Sequence, residues 1–165
     1  MASRDSETQS VLNSIRRIVQ ALRVSSRAAE RRYGLSLAQL FVLQQLADAK
    51  SLSLNELAER TFTHQSSVSV VVSRLVRRKL VVRARSQQDR RRKQVALSPK
   101  GRAILTRAPV VPQEALIATI GKLPAGDLRR LAGLLEGVVH QAGLADNPAA
   151  LMFDDLAGSR RRQPA

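Results

Sequence analysis

At 165 residues with 44% hydrophobic side chains, the chain fits a single domain and has enough apolar material for a folded core, which excludes a wholly disordered polymer. Its formal net charge of +15 and pI near 11.7 point to a polyanionic partner, nucleic acid before membrane. There is no cysteine, which excludes disulfides, thiol redox sensing and cysteine-ligated zinc, and with only His64 and His140 no metal or cofactor is expected.

The N-terminal MASRDSETQS is polar, and no apolar run approaches the ~18 residues of a membrane span, so a cytoplasmic protein without membrane association is expected. Tyr33, Phe41, Phe62 and Phe153 are the only aromatics, too few for the stacking platforms of single-strand binders, which favours duplex binding.

Residues 6 to 32 carry Val11, Leu12, Ile15, Ile18, Val19 and Leu22 at helical spacing between arginines, predicting a long amphipathic helix that Gly34 stops. Ser36-Leu-Ala-Gln39 has the form of a capping box and opens a second helix through Leu40, Leu43 and Leu46. Ser53-Leu-Asn-Glu56 is another, opening a third helix of about two turns that ends near Arg60. Thr61 to Thr63 read as a turn with Thr63 as N-cap, and a fourth helix runs from His64 to Lys79.

The period then changes. Leu80 to Ala84 and Lys93 to Leu97 predict a two-stranded ribbon with an arginine-rich tip. Ser98-Pro99 supplies an N-cap and a proline at the first helical position, opening a long helix kinked near Pro109 and Pro112. Leu116, Ile117 and Ile120 resume its apolar face, Pro124 to Asp127 turn the chain, and Leu128, Leu131, Leu134, Leu135, Val138 and Val139 describe a last amphipathic helix to Ala142. Residues 143 to 165 show no sustained period and read as a loosely ordered tail.

The expected fold is therefore mainly α with a small β-wing: a winged helix-turn-helix domain over 36 to 98, flanked by helices over 6 to 34 and 99 to 142 within one domain. On the fourth helix Val68, Val71, Val72 and Leu75 share a face that suits the core. Gln65, Ser66, Ser69, Val70 and Ser73 fall elsewhere, where short hydroxyls and amides can reach phosphates and base edges and Val70 can touch a thymine methyl. A serine-rich solvent face is the plain alternative.

Between residues 74 and 93 stand ten basic residues and one acid, Asp89. Placed directly after the fourth helix, these cations suit phosphates on either side of a groove, and a ribbon-tip arginine suits a narrow minor groove; a solvated basic loop is the alternative. Asp89 is assigned a structural role, accepting charge-assisted bonds from Arg91 or a nearby amide and holding a turn whose cations repel.

An enzyme is not expected. The sequence has no glycine-rich phosphate loop and no nucleophile-histidine set, since His64 neighbours Thr63 and Ser66 only because all three open one helix. A nonspecific architectural DNA- or RNA-binding protein is the competing reading that the charge permits.

The helix pair SLNELAERTFTHQSSVSVVVSRLVRRKLV (53 to 81), the DRR at 89 to 91 and VALSPKG at 95 to 101 resemble the MarR family of bacterial transcriptional regulators. Ser98 stands where the family usually has threonine, keeping a hydroxyl cap, and MFDD at 152 to 155 is similar to tails in part of the family. The resemblance covers about residues 8 to 142 in element order. It implies a homodimeric regulator of a pseudo-palindromic double-stranded operator. Candidate DNA contacts are then Thr63, His64, Gln65, Ser66, Ser67, Ser69, Val70, Ser73, Arg74 and Arg77 on the helix and Arg85, Arg90, Arg91 and Arg92 on the wing, with Asp89 organising the wing. The resemblance also implies repression relieved by a small anionic or phenolic effector, for which no residue here is diagnostic. The flanking helices present more apolar surface than a small winged domain covers, which favours dimerisation over packing within one chain.

Overall fold

The computed structural model describes residues 2–85, 93–108 and 111–146. A 32-residue helix, α1 (Ala2–Tyr33), leads into α2 (Leu37–Gln45), the two-residue strand β1 (Leu52–Ser53), α3 (Leu54–Thr61) and α4 (Gln65–Arg77). Strands β2 (Val81–Arg85) and β3 (Lys93–Leu97) follow, then α5 (Pro99–Leu105), α6 (Pro112–Gly121) and α7 (Ala125–Gln141).

Local signals start three of these helices. The Ser36 hydroxyl accepts from the Gln39 amide at 3.2 Å while the Gln39 side chain accepts from the Ser36 amide at 3.1 Å. Ser53 and Glu56 close the same reciprocal pair at 3.2 and 2.7 Å. At α5 the Ser98 hydroxyl accepts from the Gly101 amide at 3.0 Å, and Pro99 occupies the first turn where no amide hydrogen is needed.

The core lies inside the winged unit. Leu37 to Leu43 of α2 are all buried, as befits a short helix apolar on nearly every side, and Leu57, Val68, Val71, Leu75, Leu80, Val81, Val95 and Leu97 close around it. The valine face expected of α4 is the buried one. Among the described side chains of α1 only Leu22, Ser26 and Ala29 are buried, an i, i+4, i+7 stripe in the C-terminal half that lies on this core. Val11, Leu12, Ile15 and Ile18 in the N-terminal half stay exposed, and α7 buries no residue at all.

The structure corrects four expectations. The ribbon is the larger part of a three-stranded antiparallel sheet ordered β1-β3-β2, with Leu52 opposite Val95 and Ser53 opposite Gln94, and the Ser51 hydroxyl donates to Gln94 Oε1 at 2.7 Å beside it. The first helix begins at Ala2 rather than residue 6. The long kinked helix after Ser98 is two helices, because a residue before proline avoids the helical region: Val111, ahead of Pro112, is extended (φ −79, ψ 141) and serves as the N-cap of α6. Finally, the N-cap of α4 is His64, not Thr63. The tail expected over 143 to 165 falls outside the described residues from 147 onward. Among the described residues no helix is long and apolar enough to cross a membrane.

Candidate nucleic-acid interface

The turn between α3 and α4 decides what α4 presents. Phe62 adopts a left-handed conformation (φ 51), and the amides of Phe62 and Thr63 turn back to the carbonyls of Glu59 and Ala58 at 3.2 and 3.0 Å. The Thr63 amide therefore finishes α3 instead of starting α4. Its hydroxyl oxygen is buried without a hydrogen-bond partner and is out of reach of the α4 amides, which is why the expected threonine cap does not form. His64 takes the cap position with extended backbone (φ −77, ψ 145) and makes no side-chain cap bond.

The first turn of α4 consequently has no side-chain cap and no acidic residue. Its amides carry the positive end of the helix dipole toward the surface, an arrangement that favours an anion such as a phosphate oxygen. His64, Gln65, Ser66 and Ser73 are exposed, Ser67, Ser69 and Arg74 are partly so, and Val70 is 47% exposed in the middle of the face. The four buried residues Val68, Val71, Val72 and Leu75 fix the rotation of the helix, so the polar side chains face outward together.

Cations bound this face at its C-terminal end. Arg77, Arg78 and Lys79 are exposed, and Arg83 is exposed on β2. At the open end of the ribbon the register sets Arg85 directly opposite Lys93. Only the backbones of Arg85 and Lys93 are described, while Asp89, Arg90, Arg91 and Arg92 lie outside the described residues.

The end of α4 is anchored from below. Lys79 is left-handed (φ 59), the Leu80 amide reaches back to the Leu75 carbonyl at 3.0 Å and the Lys79 amide to Val76 at 2.9 Å, the paired bonds of a Schellman exit with Leu75 and Leu80 both buried. The Ser98 hydroxyl donates to the Lys79 carbonyl at 2.8 Å and its amide to the Leu80 carbonyl at 3.1 Å, so the start of α5 holds the end of α4.

Two residues at this interface escaped sequence reasoning. Phe62 is 77% exposed and lines a shallow open hollow with Asn55, Ala58, Glu59 and Thr63. Its left-handed backbone has no sequence signal because glycine, not phenylalanine, marks such positions. Arg78 points its guanidinium at the end of α1, a partner 44 residues away that no local pattern announces. Among the described residues no cluster of histidine, aspartate or glutamate is arranged to hold a metal ion.

Three helices ending in α4, followed by an antiparallel ribbon, define a winged helix-turn-helix protein. Residues 33–92 match the model of the MarR family. A segment of 101 residues is 30% identical to the HTH-type transcriptional repressor MdtR of Bacillus subtilis, covering 61% of this chain and 65% of that protein. A segment of 72 residues is 31% identical to the HTH-type transcriptional regulator SarZ of Staphylococcus epidermidis, covering 44% of this chain and 49% of SarZ, so the chain spans about half the length of that relative. Among solved structures, Bordetella bronchiseptica BpsR, whose DNA binding is regulated by 6-hydroxynicotinic acid, superposes with a TM-score of 0.53 at 30% identity over 78% of this chain and 91% of BpsR. The chain belongs to the MarR family.

Proposed function

We propose that the chain is a homodimeric, sequence-specific, double-stranded-DNA-binding transcriptional regulator that represses its targets in the cytoplasm and is not an enzyme. The observation that carries this reading is the outer face of α4: an uncapped helix start, then Gln65, Ser66, Ser69, Val70 and Ser73 held outward by a buried valine stripe. A helix of that width enters a major groove, and small polar side chains with one exposed valine can meet base edges and a thymine methyl. Thr63 lies beside this face, and His64, Ser67, Arg74 and Arg77 lie on it. The wing cations Arg85, Arg90, Arg91 and Arg92, with Asp89 holding their turn, supply phosphate or minor-groove contacts in this reading, which for residues 89 to 92 rests on sequence.

Support for the dimer comes from unpartnered apolar surface. Val11, Leu12, Ile15 and Ile18 of α1 and Leu134, Leu135, Val138 and Val139 of α7 are between 41% and 64% exposed in the single chain. The apolar faces of the N-terminal half of α1 and of α7, left exposed among the described residues, suit a second copy, and a two-fold pair suits a pseudo-palindromic operator with half-sites one helical turn apart. MdtR is named a repressor, and BpsR responds to a hydroxylated aromatic acid, which supports repression relieved by a small anionic or phenolic effector.

Selection from a random duplex library tests the reading. Dyad-symmetric sequences should be enriched, with half-site centres about 10 base pairs apart. Enrichment of no sequence, or stronger retention of single-stranded RNA, would support a nonspecific nucleic-acid binder instead.

A further inference from the structure

We propose that Arg78, although it sits in the most cationic part of the chain, is a positioning residue that locks the recognition helix α4 to the scaffold helix α1, and is not a phosphate contact. The proposal rests on the duplex-binding reading above for its functional consequence, and on geometry alone for the lock.

Arg78 is the C-cap of α4 (φ −82, ψ 0). One guanidinium nitrogen, Nη1, donates to the Gly34 carbonyl and the other, Nη2, reaches the Tyr33 carbonyl at 3.5 Å. Tyr33 is the last residue of α1, and Gly34 continues it in a left-handed turn (φ 61) with its amide on the Glu30 carbonyl at 2.9 Å. These are the carbonyls at the negative end of the α1 dipole, where a cation is favoured and bonds to a charged donor are strong. The fit is close: a Cβ at residue 34 would lie 3.3 Å from Arg78 Nη2, at a backbone conformation that side chains other than glycine rarely adopt.

The same turn of α1 is fastened on its other side. The Tyr33 hydroxyl donates to the Arg107 carbonyl, just beyond α5. The last turn of α1 is thus a joint holding the end of α4 through Arg78 and the exit of α5 through Tyr33. In a two-fold pair whose scaffold includes α1, this joint sets the tilt of α4 on the scaffold, and so the spacing at which two recognition helices meet successive major grooves.

Arg77 is the natural control, being adjacent, exposed and a candidate phosphate contact. With a selected duplex and versions whose half-site spacing is changed by one base pair, affinity is measured across a salt series for wild type, Arg78→Gln, Arg78→Lys and Arg77→Gln. For both Arg78 variants we expect an unchanged salt slope, about ten-fold weaker binding at the native spacing and a smaller penalty for the altered spacing. For Arg77→Gln we expect a slope smaller by about 0.9 and an unchanged spacing penalty. A slope that falls by about 0.9 in Arg78→Gln with its spacing penalty intact would make Arg78 a phosphate contact and overturn the proposal.

The lock has a readout that needs no DNA. In the free protein, amide hydrogen exchange at residues 30 to 34 and 76 to 80 should rise about ten-fold in Arg78→Gln, or in Arg78→Lys should the first variant not fold. Unchanged exchange at both segments overturns the lock even if the wild type prefers no duplex, an outcome that would by itself defeat only the duplex reading.

Discussion

Gly101 lies so close to Leu80 that a Cβ at residue 101 would sit 2.2 Å from the Leu80 carbonyl oxygen. That oxygen also accepts from the Ser98 amide at 3.1 Å, so it cannot retreat without loosening the tie between the wing and α5. In an ordinary helix, glycine to alanine gains about 1 kcal/mol. Here overpacking against backbone, which no rotamer change relieves, costs about 1–3 kcal/mol or more and decides the sign. Gly101→Ala is expected to lower unfolding free energy by about 2 kcal/mol in a denaturant titration, and an unchanged or higher midpoint would show that the α4–α5 junction is looser than described.

Phe62 gives the opposite sign. A left-handed backbone costs a residue with a side chain about 1–2 kcal/mol, while glycine's extra freedom in the unfolded chain costs about 0.5–1 kcal/mol. With the ring 77% exposed, little burial is lost. Phe62→Gly should therefore stabilise the fold by about 0.5–1 kcal/mol, raising Tm by about 1–4 °C for a chain of this size. A fall of several degrees would show that the ring is held against other surface in solution.

The polar face of α4 is tested by small deletions. Removing one hydroxyl that bonds a base edge costs about 1–3 kcal/mol of discrimination at one base pair and leaves the electrostatic part of binding alone. Ser66→Ala and Ser69→Ala are expected to reduce the preference for a selected duplex about ten-fold or more while affinity for random duplex stays constant. Preferences equal to wild type in both variants would remove these serines from base readout.

The apolar face of α7 is tested by charge. Leu134 and Val138 are 64% and 62% exposed and four residues apart, so aspartate at both places a charge pair on one stripe without touching the winged core. Leu134→Asp with Val138→Asp should yield a monomer by sedimentation, with helical circular dichroism retained. Affinity for the full duplex should fall about 100-fold or more as the linked second half-site is lost. A dimer that survives both substitutions would place the interface elsewhere.

What could be read in the sequence was local. Ser36 with Gln39, Ser53 with Glu56 and Ser98 with Pro99 mark helix starts because a cap is satisfied within four residues, and all three form as expected. The valine spacing of α4 fixed its buried face for the same reason. Strand β1 was not legible: two residues carry no period, and Leu52 is a strand only because Val95 lies across from it. The cap of α4 falls at His64, one residue past the expected Thr63, because Phe62, not a glycine, takes the left-handed turn and draws Thr63 into the exit of α3. The role of Arg78 was hidden in a basic run, where composition reports charge and says nothing of direction.

Whether α4 of a paired chain reads duplex sequence is decided by one ratio: affinity for the selected dyad duplex against a shuffled duplex of equal length at about 0.15 M salt. The expected preference is about 1,000-fold or more. A ratio near one, with binding that still falls steeply with salt, would mean that the charge alone holds the nucleic acid and that α4 reads nothing.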